Sequence, residues 1–299
     1  MRHKSKSNVP RNQILNCDCV KGMARLPEAS IPLVVTSPPY DKIFDYGGHT
    51  WNFNVFKKVA KQLWRITMPG GVVCWEIKDQ SKGGFTCTKH KQVLYFKETL
   101  GFRLHETLYI KTASLGHQRS RYPEQVHEVF VLSKGRPKSI HRIADRPNLT
   151  AGTPQKMNRR NKDGSRRTWK SDDLVPLYGF RSHLWTVNSG GKHTTKDNLK
   201  GFPAPMSEQL ARDLIRSFSK AGDLVLDPFS GSGTTAKMAL LEHRDYLGFE
   251  VWDEHFLNSV QRLKRTHKEY QRKLDRILAC SDSEHGVSLR RCPTTSEER

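Results

Sequence analysis

The sequence predicts an α/β protein built on a doubly wound, mostly parallel sheet, and three observations carry that reading. Apolar strand-length runs alternate with helical patterns in both halves of the chain. A glycine-rich loop joins one of those strands to its helix, and an acid closes the next strand, about twenty residues on. At 299 residues the chain is long enough for one elaborated domain or for a domain carrying a smaller insertion.

Taken in order, residues 1–11 are basic and polar and read as a loose arm. Residues 14–19 form a short strand ending in Asp18, a helical turn reaches Leu26, and the apolar run at 31–35 is the next strand. That strand must stop at Thr36-Ser-Pro-Pro-Tyr40, because two prolines fix φ and withhold the N–H groups a ladder needs. The loop that follows is therefore stiff. Phe53, Phe56, Val59, Ala60, Leu63 and Trp64 recur at helical spacing, Pro69-Gly-Gly71 ends that helix, and 72–77 is the strand beyond it. A helix over 93–100 and strands at 102–110 and 126–132 follow.

Between 134 and 181 the character changes: Gly, Pro, Asn and Ser mix with many Arg and Lys and few acids. Trp169, Tyr178 and Phe180 give the segment something to pack with or to stack on bases, so it reads either as an inserted recognition module or as a disordered basic loop. Regularity returns after His183. Leu210, Ala211, Leu214, Ile215 and Phe218 make one apolar helix face, stopped by Gly222. A strand at 224–226, the loop 227–233, a helix through Leu241 and a strand at 246–249 ending in Glu250 come next. Phe256, Val260, Leu263, His267, Tyr270, Leu274 and Ile277 form the seam of a last basic helix, and the tail from Ser281 reads as disordered.

The formal net charge of +21 and pI near 9.9 predict a polyanionic partner, most simply nucleic acid. No apolar stretch approaches the ~18 residues of a spanning helix and no signal peptide follows Met1, so no membrane partner is expected and the expected location is cytoplasmic or nuclear. The six cysteines contain no CxxC pair, which suggests neither a zinc site nor a disulfide framework.

Gly231 and Gly233 sit between a strand and a helix, where missing side chains let a ligand approach the backbone. Glu250, at the end of the next strand, is placed to hold both hydroxyls of a ribose. The loop lacks the lysine of a phosphate-binding loop and the third glycine of the dinucleotide fingerprint, so an adenosine ligand without a pyrophosphate fits best.

Asp227-Pro-Phe-Ser-Gly-Ser-Gly-Thr-Thr235, together with Thr36-Ser-Pro-Pro-Tyr40, resembles the S-adenosylmethionine-dependent DNA amino-methyltransferases. Their cofactor loop is F-x-G-x-G and their catalytic loop is (D/N/S)-P-P-(Y/F/W). The order here, catalytic loop, recognition region, cofactor loop, is similar to the β class of that family. The likeness extends to Leu15-Asn-Cys-Asp18, Gly201-Phe-Pro-Ala-Pro205 and Leu247-Gly-Phe-Glu250 and covers most of residues 12–260. It implies a permuted Rossmann-like fold with catalytic half 12–113, target-recognition insertion 114–182, cofactor half 183–279 and tail 280–299.

The resemblance also implies roles. Phe229, Gly231 and Gly233, with Ser230 and Ser232 in the same loop, would line the methionine part of the cofactor S-adenosyl-L-methionine, with Asp227 near its ammonium. Glu250 would take the ribose hydroxyls and Asp18 an adenine amine, unless Asp18 only caps its loop. Thr234 and Thr235 could reach the cofactor carboxylate, although helix capping would explain at least one of them. Ser37 and the Pro38 carbonyl would accept the protons of a target amine, Pro39 stiffens the loop, and Tyr40 offers a face to a flipped base. A serine before the two prolines resembles the N4-cytosine enzymes, whereas aspartate resembles the N6-adenine ones. The absence of a Pro-Cys dipeptide argues against transfer to carbon 5.

The partner implied is double-stranded DNA, with a cognate restriction endonuclease as a further expectation and no metal required. Arg119, Arg121, Arg159, Arg160, Arg166 and Arg167 are the candidate nucleic-acid contacts, to phosphates or guanine edges. The rival readings are N6-adenine methylation, action on RNA, and a catalytically inactive relative that only binds DNA.

Overall fold

The computed structural model describes residues 9–40, 50–80, 84–112, 122, 125–187, 197, 202 and 205–284. Arg119, Arg121, most of the 201–205 motif, residues 1–8 of the expected arm and 285–299 of the expected tail lie outside the described residues.

Eight strands form one sheet: β1 (Gln13–Asn16), β2 (Ile31–Thr36), β3 (Thr67–Ile77), β4 (Arg103–Thr112), β5 (Val126–Ser133), β10 (Leu184–Val187), β11 (Leu224–Asp227) and β12 (Asp245–Glu250). Their order is β1-β12-β11-β2-β3-β5-β4-β10, and only β5 runs against its neighbours. The helices are α1 (Cys19–Ala24), α2 (Phe53–Ile66), α3 (Thr88–Leu94, continued by a π-helical turn Tyr95–Thr99), α4 (Glu208–Phe218), α5 (Thr234–Leu241) and α6 (Asp253–Glu284). This is the expected doubly wound, mostly parallel sheet.

Strand alternation builds two cores. Leu33, Val35, Val72, Cys74, Val129, Val131 and Val225 turn to the face carrying α4 and α5. Val34, Val73, Trp75, Phe130, Leu132, Leu226 and Leu247 turn to the face carrying α1 and α2. Because both faces are covered, the strands read as nearly continuous apolar runs. Phe56, Trp75 and Phe96 meet edge to face with centroids 5.1–5.9 Å apart and are fully buried. Each such ring contributes roughly 1.5–3 kcal/mol of burial.

Several boundaries differ from the expectation. Pro69-Gly-Gly71 does not separate helix from strand: α2 runs to Ile66 and β3 begins at Thr67, with a bulge opposite the stretch between Ile31 and Leu33. Gly70, at φ +80, supplies the conformation the bulge needs. The third helix starts at Thr88 rather than 93, and α6 begins at Asp253 and continues to Glu284, past the expected start of a disordered tail. The boundary of the insertion also moves. Residues 126–133 are β5, deep in the central sheet between β3 and β4, so only the segment after Ser133 stands outside it.

That segment is ordered. β6 (Arg146–Pro147) pairs with β9 (Tyr178–Gly179), and β7 (Pro154–Arg160) pairs with β8 (Arg166–Leu174), all antiparallel. Backbone bonds from Asn148 to Leu177 and from Gly152 to Val175 join the two pairs into one two-stranded arm.

Candidate active site

β2 and β11 are neighbours, with Leu33 opposite Val225 and Val34 opposite Leu226. Loops 36–40 and 227–233 therefore leave the sheet side by side, although Thr36 and Asp227 are 191 positions apart in the chain. From β2 the chain continues to α2 on one face, and from β11 to α5 on the other. The crevice between them is the topological switch point, where α/β sheets bind ligands. Both loops line a cavity of about 300 Å³, together with Asp18, Trp51, Phe202, Glu250 and His255.

Two side chains stitch the strand ends together. The Thr36 hydroxyl donates to Asp227 Oδ1 at 2.6 Å, and the Thr235 hydroxyl donates to the Val35 carbonyl at 3.2 Å. Asp227 also accepts the Phe229 N–H at 3.0 Å. Burial still pushes its carboxyl up to about 6, against the lowering effect of those donors.

The two loop glycines do different work. Gly231, at φ +48, has open space where a side chain would be, its nearest atom being the Phe229 carbonyl oxygen 3.9 Å away. Gly233, at φ +75, would bring a Cβ to 3.2 Å from Ser259 Cβ and 3.4 Å from Ile14 Cδ1. The first leaves room for a ligand, and the second lets the loop pack. Glu250 braces the loop from across the cavity: Gly231 N–H donates to its Oε2 at 2.7 Å and Trp252 N–H to its Oε1 at 2.9 Å. Each carboxylate oxygen keeps a second lone pair for a ligand hydroxyl. The Ser230 Oγ is buried and has no partner among the described residues.

Thr234 and Thr235 do not cap α5. Its cap position is Gly233, with no side-chain bond, and Thr234 Oγ1 instead accepts from Arg262 Nη1 at 3.0 Å. Asp18 does cap α1, accepting the Lys21 N–H at 2.9 Å, and also lines the cavity. In the catalytic loop Pro38 is buried, and the Ser37 and Tyr40 hydroxyl oxygens lie 2.6 Å apart.

Sequence reasoning missed the frame around these residues. Arg262, 2% exposed on α6, donates to the Ser232 carbonyl at 2.9 Å and through Nε and Nη2 to Asp197 and Glu208, both at 2.6 Å. Lys237 joins the same two acids at 2.8 Å. Nothing in a helix crowded with cations marks Arg262 out. Trp51 meets Phe229 edge-on at 5.2 Å, and His255 stacks between Phe202 (4.3 Å) and Trp252 (4.0 Å) at the cavity wall.

Other candidates fall elsewhere. Arg159, Arg160, Arg166 and Arg167 are exposed on the β7–β8 hairpin. Glu76, read as structural, bonds His127 at 2.7 Å between β3 and β5, and neither residue lines the cavity. The fold also brings ligand atoms of Asp79, Cys87 and His90 within 4.8 Å of one another, a grouping no spacing announced; Asp79 accepts the Lys89 N–H there. Among the described residues no helix is long and apolar enough to cross a membrane.

The acids of the cavity suit a cationic adenosine ligand. Asp18, Asp227 and Glu250 converge in a protein of net charge +21, the unpartnered Ser230 hydroxyl joins them in the wall, and the backbone is bare at Gly231.

Comparison with known proteins agrees. The orphan methyltransferase M.BamHII of Bacillus amyloliquefaciens is 40% identical over 242 residues, 79% of this chain and 90% of its own. The structure of PvuII DNA methyltransferase (cytosine-N4-specific) superposes with a TM-score of 0.63 at 21% identity, covering 89% of this chain and 94% of that one. TTHA0409, a DNA modification methylase of Thermus thermophilus solved with S-adenosyl-L-methionine, gives 0.54 at 20% identity, covering 85% and 95%. The N6/N4 DNA methylase family matches residues 31–261, over the whole span that carries both loops and the sheet between them, and the chain belongs to that family of S-adenosylmethionine-dependent DNA amino-methyltransferases.

Proposed function

We propose that this chain methylates the exocyclic N4 of a cytosine flipped out of duplex DNA. The observation that carries the reading is the Ser37 hydroxyl, held on a stiff proline loop at the end of β2 beside the cofactor loop. When bound, S-adenosylmethionine supplies a methyl group activated by its sulfonium. Asp227 is placed to hold the ammonium, Glu250 the ribose hydroxyls and Asp18 the adenine amine; Phe229, Ser230, Gly231, Ser232 and Gly233 shape the wall, with Thr234 and Thr235 behind them.

A base amine is a poor nucleophile because its lone pair is delocalised into the ring. Ser37 Oγ and the Pro38 carbonyl accept its two N–H bonds, draw the nitrogen toward a tetrahedral shape and align it for transfer. The Tyr40 hydroxyl, 2.6 Å from Ser37 Oγ, fixes that serine's orientation, and its ring gives the base a face to stack on. Pro39 keeps the loop from yielding. No covalent enzyme intermediate is needed.

The arginines at 159, 160, 166 and 167, with Arg119 and Arg121, are proposed DNA contacts. The protein is proposed to act in the cytoplasm, and its modification to protect sites from a cognate restriction endonuclease, which rests on the family resemblance. The test is mass spectrometry of nucleosides from mixed-sequence DNA incubated with the protein and S-adenosylmethionine. N4-methylcytosine is expected. N6-methyladenine overturns the base assignment, and no methylated nucleoside overturns the enzymatic reading.

A further inference from the structure

The two-stranded arm between Arg146 and Gly179 is built in a way its own contacts do not justify. Isolated two-stranded ribbons are marginal in water, and like charges directly opposite each other weaken them further. Here Arg159 lies opposite Arg167, Arg160 opposite Arg166 and Lys156 opposite Lys170. Between 154 and 174 seven Lys or Arg stand against three Asp. Those acids sit aside from the paired cations: Asp163 is in the tip, bonded to Ser165, and Asp172 and Asp173 fall where the register shifts. Every described side chain from 156 to 169 is exposed.

The ribbon has two unlike faces, because opposite residues share a face and successive residues alternate. One carries Lys156, Asn158, Arg160, Arg166 and Thr168, every one a hydrogen-bonding group, with the Thr168 hydroxyl donating to Asn158 Oδ1 at 2.7 Å. The other carries Met157 opposite Trp169, flanked by Arg159 and Arg167. Base edges are read by donors and acceptors, and the major groove of DNA is wide enough to admit a two-stranded ribbon.

The root is fixed to the methyltransferase body. Arg181 donates to Asp145 and, at 2.7 Å, to Asp213 on α4, lies 4.9 Å from the Trp185 ring, and the His141 N–H donates to the Ser217 carbonyl at 2.8 Å.

We infer that this arm is a DNA-reading ribbon which lies in the major groove, with the Lys156–Asn158–Thr168 face on the base edges and the arginine pairs near its tip on phosphates. This rests on the proposed action on duplex DNA and adds which residues choose the sequence. The phosphates supply the counter-charge that the cross-strand cation pairs lack.

The test uses the full chain, a Lys156→Ala/Asn158→Ala variant, a Met157→Ser variant, and a chain in which residues 155–173 are replaced by Asn-Gly. Each is incubated with S-adenosylmethionine and a mixed-sequence duplex library, and the methylated positions are mapped. Binding of S-adenosylmethionine to each protein checks that the body is intact. In the Lys156→Ala/Asn158→Ala variant, preference should relax at one or two base pairs of the site and the rate on the preferred site should fall about tenfold, the scale of one lost base contact. Met157→Ser should leave preference unchanged. Duplexes carrying 7-deazapurines, which lose only a major-groove acceptor, should lose discrimination in the same way. The same sequence preference in the shortened chain as in the parent would overturn the inference, and relaxation by Met157→Ser alone would overturn the choice of face. Which base is methylated tests the proposed function separately, since it is read from the nucleoside and not from its sequence context.

Discussion

The crevice between β2 and β11 and the arm beyond β5 are opposites in almost every physical respect. The crevice gathers acids in a basic protein, buries them, and fixes its loops through bonds between residues nearly two hundred positions apart. The arm gathers cations, exposes them, and is held by pairings between residues close in sequence. A rigid, acid-lined pocket selects one small cation and presents it the same way each time. An exposed ribbon with unbalanced charge suits a polyanion, and its stability depends on that partner. Perturbing one region should therefore leave the other's readout intact.

The largest separation is expected from Gly231→Asp. The substitution fills the open space above the loop, places a residue with a side chain at φ +48, and sets a second carboxylate near Glu250. Affinity for S-adenosylmethionine should fall by more than about a thousandfold, which calorimetry would register as lost binding. DNA affinity measured without cofactor should be unchanged.

Asp227→Asn should act in two directions. In the parent protein burial pushes the carboxyl up to about 6, so holding it ionised at neutral pH costs on the order of 3 kcal/mol relative to an ordinary aspartate. A folded-state value raised in this way contributes stability that is fully present below the unfolded value near 4 and is lost as pH rises through about 6. The amide variant should therefore melt several degrees higher than the parent at pH 7 in the absence of cofactor, while binding S-adenosylmethionine roughly a hundredfold more weakly. In the parent, cofactor affinity should fall by about tenfold per pH unit below about 6, as the carboxyl that faces the ammonium is protonated. That slope should be missing in the variant, and its persistence would reassign the ammonium contact.

The contrast also explains what the sequence could disclose. Thr36-Ser-Pro-Pro-Tyr40 and the 227–235 loop were legible because prolines and glycines impose backbone geometry locally, and the alternation of strands and helices placed both at strand ends. Glu250 was legible from its distance along the chain. Arg262 was not: it is one cation among many on a basic helix, and only packing against Ser232 and Thr234 distinguishes it. β5 was recognised as a strand but grouped with the insertion, since nothing in 126–133 says that it pairs between β3 and β4 rather than outside the sheet. The arm was left between two readings because its pairing depends on register, which a stretch without an apolar face does not specify.

Arg262→Met should produce a smaller but more diagnostic effect in the crevice. It removes the fork that spans the cofactor loop, Asp197 and Glu208, and takes one of the cations, beside Lys237, from both acids. Breaking a buried pair of this kind costs roughly 3–5 kcal/mol. That corresponds to a fall of about 10 °C in melting temperature for a domain of this size. Measured well below that temperature, the KM for S-adenosylmethionine should rise about tenfold while the KM for DNA stays put. Arg262→Lys keeps the charge without the fork and should recover stability better than it recovers the KM. Equal changes in both KM values would reduce Arg262 to general support of the fold.

The smallest expected effect lies at Arg181, where the two regions meet. Its guanidinium joins Asp145 at the root of the arm to Asp213 on α4, and the bonds to Asp145 hold that carboxyl below the ordinary aspartate range. Asp213 is nearly buried, so Arg181→Met leaves it without this partner while the β7–β8 register stays as it is. The arm should then keep its own pairing but swing more freely on the body. Hydrogen exchange should rise at 141–147 and 177–182 and stay unchanged at 224–250. The KM for DNA should rise a few-fold, on the scale of about 1 kcal/mol for a partly exposed pair, with cofactor affinity unaltered. Exchange rising equally across the cofactor loop would show that the arm and the crevice are one cooperative unit, and the division of labour between them would fail at its joint.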